Sequence, residues 1–351
     1  MNRLCQSSHG NLEAVINIAG YNGNAQRQLV HFYREKMTGQ WSACAVVSSN
    51  AESGGSIIQS SSKNHPDQKH GDFEVIVIED GGVLQHYTRD NTNPDDNGVF
   101  AWRLSATVTA ASGSTPPINA IHAAPLFQSQ LSMDNNSDGT TLETVIIDRH
   151  RRAIHYRCAQ YGTRNNSVLH RHRWCEGRVI ADWATGPASI YQTSPGMLMA
   201  IVPSEDSVNE YHFEYNTWIF VRKVAANGDP GCLYTRDDKL NVLLRIKHEI
   251  HERCYKNHNC YEAWEATSAL SASFGRISHT PYHRVLATNP ITVLTVLSQP
   301  SNSHDIEAIV FHPCGMGPQD AWMVLQWSFS PDTKEWVVRN VVLPLVIGMP
   351  L

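Results

Sequence analysis

The sequence predicts an all-β chain made of repeated four-stranded units, and three observations carry that expectation. Runs rich in β-branched and aromatic residues recur along the chain, among them FEVIVIE, LETVIID, WIFVRKV and EWVVRNVVL. Almost no stretch carries the 3.6-residue apolar rhythm of an amphipathic helix. KLNVLLRIKHEIHERCYKN comes nearest, and its first half is β-branched and leucine-rich and fits a strand. Finally, HGNLEAVINIAGYNGNAQRQLVHFYREKMTGQW is echoed by HGDFEVIVIEDGGVLQHYTRDNTNPDDNGVFAW, with 28 residues from glutamate to tryptophan in both (Glu13 to Trp41, Glu74 to Trp102). Self-similarity at a fixed period is the mark of a repeat architecture.

Weaker copies follow, and aligning them gives four columns, each read as one short strand. The first holds a glutamine (Gln6, Gln59, Gln128, Gln192 and Gln299, with Thr235 in the fifth copy). The second opens an apolar strand with an acid: Glu13, Glu74, Glu143 and Glu307, with Met199 and Asn241 in the other two. The third is a histidine (His31, His86, His155, His212 and His251, with Gln326 last), and the fourth a tryptophan in all six copies (Trp41, Trp102, Trp174, Trp218, Trp264 and Trp336). Six copies in 351 residues are about 58 residues each, which predicts a six-bladed β-propeller of degenerate four-stranded blades. Radial packing asks for one large residue at the same place in every wedge, so the tryptophans read as structural; so do the recurring histidines.

Short steps separate the first two columns and long ones run from each tryptophan to the next first column, so the glutamine strand is expected innermost. That phase rings the axis with neutral amides. The opposite phase would crowd carboxylates there and raise their pKa values by repulsion. The tie of one glutamine to a neighbouring backbone is the plain account of that column.

Composition narrows function. With 28 basic against 33 acidic residues the net charge is −5, which offers no footprint for nucleic acid. No apolar run approaches the roughly 18 residues of a spanning helix, and MNRLCQSSHGNLEAV lacks the regions of a secretory signal, so a cytoplasmic protein off the membrane is expected. The eight cysteines form no CxxC pair and read as free thiols. His170 and His172 share a strand face without a third ligand, and Asp134, Asn135, Asn136 and Asp138 read as a solvated turn, so neither a metal nor any other cofactor is expected. GxSxG, HExxH, P-loop and GxGxxG patterns do not occur in a suitable context.

The pattern xxxQSx…GN(L/F)EV(V/I)…LxHYxRDN…W resembles the blade repeat of propeller lectins of the Photorhabdus type. The resemblance is good in copies one and two and partial in three, four and six. It implies sugar sites recurring around the ring, built from aromatic platforms and polar side chains. The columns decay, however: Arg34 and Arg89 follow the histidine by three residues in two copies, where the others have Cys158, Tyr215, Cys254 and Phe329. A degenerate propeller of this size is also similar to the fungal hetero-Diels–Alderases of tropolone sesquiterpenoid pathways, which implies a cofactor-free cyclase joining an o-quinone methide to an alkene.

The leading expectation is therefore a single domain over 1–351 with one pocket for a small lipophilic metabolite at the propeller mouth, acting as a cyclase. A fucose-type glycan-binding lectin is the alternative. The 35-residue step from Trp264 to Gln299 is the longest, and a lid-like insertion is expected over 267–292. There Arg276, Tyr282 and Arg284 are candidate donors to a carbonyl, His279 and His283 candidate proton carriers, and Phe274 an aromatic surface. The next longest link brings His122 as a third proton carrier. Phe127, Tyr191 and Tyr234 are candidate walls, with Arg236 and the ring of Gln59, Gln128, Gln192 and Gln299 below them.

Overall fold

A computed structural model describes residues 4–19, 26–53, 55–61, 70–91, 100–108, 119–123, 125–129, 141–159, 173–175, 178–194, 197–226, 228–236, 239–246, 249–258, 261–269, 292–298, 306–313, 321–330 and 335–347. Every regular element among them is a strand. Sheet 1 is β1 (Leu4–Gln6), β2 (Leu12–Ala19), β3 (Arg27–Arg34) and β4 (Trp41–Ser48). Sheet 2 is β5 (Ser56–Gln59), β6 (Phe73–Glu79), β7 (Val83–Arg89) and β8 (Trp102–Thr107). Sheet 3 is β9 (Ala120–Ala123), β10 (Phe127–Ser129), β11 (Thr141–Asp148), β12 (Ala153–Ala159), β13 (Arg173–Cys175) and β14 (Val179–Ala181). Sheet 4 is β15 (Ser189–Ser194), β16 (Met197–Ser204), β17 (Ser207–Glu214) and β18 (Thr217–Ala225). Sheet 5 is β19 (Asp229–Arg236), β20 (Lys239–Ile246), β21 (Glu249–His258) and β22 (Tyr261–Ala269). Sheet 6 is β23 (Thr292–Ser298), β24 (Ile306–Pro313), β25 (Ala321–Ser330) and β26 (Glu335–Ile347).

Each sheet is antiparallel, with its strands in chain order from one edge to the other. Sheet 3 follows the same plan with both edges broken: β9 and β10 together flank β11, and β13 and β14 together flank β12. The expected columns fall on the expected strands in sheets 1 to 3. Gln6 pairs Leu12 while Val15, two residues beyond Glu13, pairs His31, and sheets 2 and 3 repeat that register with Ile76 opposite His86 and Val145 opposite His155.

The degenerate copies need correction. In sheet 4 the residue two beyond Met199 is Ile201, and its partner is Glu210, so Glu210 and not His212 holds the third-column place. In sheet 5 Leu243 pairs Glu252, which displaces His251 by one residue. In sheet 6 Ile306 pairs Ser298, one residue before Gln299, while Ile309 pairs Gln326 as expected. Side chains alternate between faces along a strand, so in sheet 5 the third-column register position belongs to Glu252 and in sheet 6 the first-column position belongs to Ser298, while Gln299 lies outside the described residues. A search for histidine could not see that a glutamate had taken its place.

Burial explains why the strands read so differently in sequence. The second strands β11 and β6 are covered on both faces, β11 along its whole length and β6 except at its last residue. They are accordingly continuous apolar runs. The fourth strand β8 is exposed or half-buried throughout and mixes polar with apolar residues. The cores lie between consecutive sheets. Val15, Leu29, Ile57, Val75 and Val77 fill the wedge of sheets 1 and 2, and Val145, Ile190, Leu198, Phe213 and Trp218 that of sheets 3 and 4. First strands touch their neighbours: β1 lies against β5, β10 against β15, β15 against β19, β19 against β23, and β23 against β1.

Candidate functional site

The columns meet across the wedges in a repeated buried relay. His31, His86 and His155 each present Nε2 to the carboxylate of their own sheet, at 3.0 Å from Glu13, 2.9 Å from Glu74 and 2.7 Å from Glu143. The fourth-column tryptophan of the next sheet stands edge-on against each histidine: Trp102 on His31, Trp174 on His86 and Trp218 on His155, at 5.3 to 5.6 Å between ring centres. Trp41 closes the series by donating its Nε1–H to Gln326 Oε1 of sheet 6 at 3.0 Å. In sheet 4 the acid is Glu210 itself, held by His212 at 2.6 Å and by Arg222 at 3.1 Å.

Electrostatics assigns these groups a structural duty. Trp174 Nε1–H donates to His86 Nδ1 at 3.3 Å, which requires a neutral imidazole there, and burial holds His86 down to about 3. Burial works to raise the Glu143 carboxyl, but the hydrogen bond and charge of His155, the Arg157 charge and the Thr141 hydroxyl outweigh it and hold Glu143 below its usual range. The unfolded chain takes up a proton at His86 near pH 6.5 and the folded chain does not, so this residue makes stability fall as pH drops below about 6.5, by about 1.4 kcal/mol per pH unit. His86→Gln, which copies the acceptor that Gln326 offers Trp41, is expected to keep the fold and flatten that slope. Urea midpoints at pH 7 and pH 5 for both chains measure it.

The predicted site residues scatter. Gln59 accepts Ser8 N–H at 2.6 Å and donates to the Gly71 carbonyl at 3.0 Å; Gln128 accepts Ser61 N–H at 2.9 Å and donates to its hydroxyl at 2.8 Å. Both therefore tie one sheet's first strand to the sheet before it. Phe127 and Tyr191 do come together, with ring centres 5.9 Å apart, and Gln192 follows Tyr191 on β15. His122 is half-buried on β9 opposite Ile147. Tyr234 and Arg236 lie on β19, and their side chains fall outside the described residues. So do Phe274, Arg276, His279, Tyr282, His283, Arg284 and Gln299 altogether. No group of three or more metal-ligating side chains occurs among the described residues, and no helix there is long and apolar enough to cross a membrane.

A feature missed in the sequence lies at the β11–β12 hairpin. Asp148 Oδ1 accepts the N–H groups of His150 and Arg152, and its Oδ2 takes a two-pronged bond from the Arg152 guanidinium at 2.9 and 2.7 Å. Arg151 adopts φ 60° to complete the turn. Flanking links clamp the tip, since Arg149 N–H bonds to the Asn119 carbonyl and Ala184 N–H to that of Arg151. This holds Arg149, His150, Arg151 and Arg152 against Asp182 and Trp183 around an open depression of ≈ 530 Å³. Trp183 is 67% exposed and sits at φ 66°, a backbone state that a bulky residue adopts only at a cost of about 1–3 kcal/mol. The one-letter run DRHRR was the available signal, but nothing in it announces the tryptophan 31 positions on (Arg152 to Trp183).

No protein-family model matches the chain, and no curated protein matches it either. Solved structures do align with it. The SapL1 lectin in complex with α-methyl fucoside is 10% identical with a TM-score of 0.49, over 97% of this chain and 98% of that one. A variant of the α-L-arabinofuranosidase Arb93A from Fusarium graminearum, bound to an iminosugar inhibitor, is 11% identical with a TM-score of 0.49, over 98% and 91%. An α-L-arabinanase from Penicillium chrysogenum complexed with arabinobiose is 10% identical with a TM-score of 0.46, over 88% and 87%.

Proposed function

We propose that the six sheets are the blades of one closed β-propeller spanning the chain, and that it binds glycans bearing a carboxylate or sulfate at the depression beside Trp183. The observation that carries this reading is a solvent-facing indole, held in a costly backbone conformation, amid three arginines and a histidine, with Asp182 in the lining, Asp148 paired to Arg152 and the exposed Glu205 near Arg151. Sugar rings offer apolar C–H faces that settle on an aromatic plane, and hydroxyls and carboxylates that guanidinium forks bond in pairs. Arg152 is committed to Asp148, so recognition of the acidic group falls to Arg149 and Arg151. Arg151 loses little by turning away from Glu205, an exposed contact at 3.9 Å.

Openness and charge weigh against the cyclase at this place, because a pericyclic step between lipophilic partners needs an enclosed apolar wall to hold them in register. The Phe127–Tyr191 pair favours that second reading elsewhere, as one side of an apolar mouth. A glycan panel separates the two. Retention of the chain by uronate- or sulfate-bearing glycans and not by neutral ones supports the first reading. Stabilisation by terpenoid ligands alone, abolished on deleting residues 274 to 286, would replace it with the second.

A further inference from the structure

We propose that Cys44 is a nucleophilic thiolate site, open to hydroperoxides, that is assembled where β3 and β4 of sheet 1 face β7 of sheet 2. The site begins with a backbone irregularity. His31 pairs Ala45 while Phe32 pairs Ala43, which leaves Cys44 as the extra residue of a β-bulge. The same bulge beside the third column recurs in other sheets, where the extra residue is Ser105, Val221, Thr267 or Arg339. A bulge re-aims the side chain it carries. In sheet 1 that side chain is a thiol, and Cys44 is exposed whereas Cys5, Cys158 and Cys254 are buried free thiols.

Its neighbours supply a cation and a proton acceptor. Arg89 Nη1 lies 3.2 Å from Cys44 Sγ and 3.1 Å from His31 Nδ1, and His31 Nε2 faces Glu13 at 3.0 Å. The guanidinium is kept in place over the Phe73 ring, 5.1 Å from its centre. A second, independent difference frees this histidine for the task. In the sister relay Trp174 occupies His86 Nδ1, but here Trp102 only stands edge-on, and its buried Nε1 has no hydrogen-bond partner among the described residues. Nδ1 of His31 instead accepts from Arg89, whose Nη1 also donates to the sulfur, so the thiol proton can pass to Nδ1 as the guanidinium shifts wholly onto the thiolate. When the thiol proton passes to Nδ1, the imidazolium rests on Glu13 and the thiolate on Arg89. Burial works to raise the Cys44 thiol, but the hydrogen bond and charge of His31 and the charge of Arg89 outweigh it and hold it below its usual range. Cys5 goes the other way, pushed well up by burial.

The step balances without a further reactant. Sγ attacks the terminal oxygen of a hydroperoxide, the S–O bond forms as the O–O bond breaks, and sulfur is oxidised to the sulfenic acid. The departing hydroxide or alkoxide takes the proton stored on His31 and leaves as water or alcohol.

Two measurements test this, and neither depends on glycan binding. In the first, hydrogen peroxide at pH 7 followed by dimedone capture and peptide mapping is expected to label Cys44 about tenfold faster than free cysteine, the gain being limited because nucleophilicity falls with thiol pKa. Arg89→Gln is expected to bring that rate down to that of free cysteine. In the second, the pH midpoint of Cys44 alkylation by iodoacetamide is expected to be lower in the folded chain than in the same chain unfolded in urea, a comparison needing no variant. A labelling rate at or below that of free cysteine, equal midpoints folded and unfolded, or a folded Arg89→Gln chain reacting as fast as the wild type would each overturn the proposal.

Discussion

Glu143→Ala is expected to cost about 3–5 kcal/mol of folding free energy, read as a lower urea midpoint at pH 7. The carboxylate is fully buried and collects four partners: the Ser129 hydroxyl at 2.7 Å, Thr141 at 2.6 Å, His155 Nε2 at 2.7 Å and the Arg157 guanidinium at 3.2 Å. Truncation removes the acceptor these donors share in a buried wedge packed with Val145, Ile147 and Trp218, and leaves His155 Nε2 without its carboxylate. Glu143→Gln keeps an acceptor and loses the charge, so it falls between the alanine variant and the wild type. Glu205, an exposed acid, is the control, and its removal should stay within about 0.5 kcal/mol. Acid sharpens the contrast. A carboxyl depressed in the folded state contributes stability above its unfolded pKa of about 4.3 and loses it as pH falls through the folded value, so the wild type should lose its advantage over Glu143→Ala only in that acid window. A cost under about 1 kcal/mol at pH 7 would mean that the relay is not what locks consecutive sheets.

Trp183→Ala carries the largest expected effect on recognition: affinity for acidic glycans falls by about tenfold to a hundredfold, the range lost when an exposed aromatic anchor is truncated. The melting temperature should hold. The indole is 67% exposed and buries little, and alanine tolerates φ 66° no better, so no packing is lost. Arg149→Ala separates the two halves of the site, since losing a guanidinium should weaken acidic glycans and leave any residual neutral-sugar binding where it was. Fluorescence quenching of wild-type and variant chains on glycan addition, with melting curves beside it, gives both readouts. Unchanged affinity in a folded Trp183→Ala chain would move the site away from this hairpin.

How much of this was legible in the residues depends on how well each copy kept its pattern. Gln6, Glu13, His31 and Trp41 with their counterparts in copies two and three predicted strand order and register, because second strands buried on both faces must be continuously apolar and their flanks must alternate. Copies four and five misled because acid and imidazole exchanged places: Glu210 took the histidine position and His212 the flank, while His251 stood one residue from Glu252. Chemistry of that kind survives the exchange, but a column search keyed to residue type does not. The Glu–His–Trp relay was present in the alignment as three columns that co-occur, and only the register shows that two of them belong to one sheet and the third to the next. The depression at Arg149–Trp183 was hidden for another reason, since Trp183 follows β14 and reaches the β11–β12 hairpin only through the pairing of β14 with β12. Long-link length pointed instead to 267–292, which lies for the most part outside the described residues.

Calorimetric titration of the wild-type chain with galacturonate, a monosaccharide carrying a carboxylate, tests the central claim most directly. One sugar bound per chain, with the heat abolished by Trp183→Ala, is the predicted result. No heat at all, or several equivalent sites per chain, would contradict it.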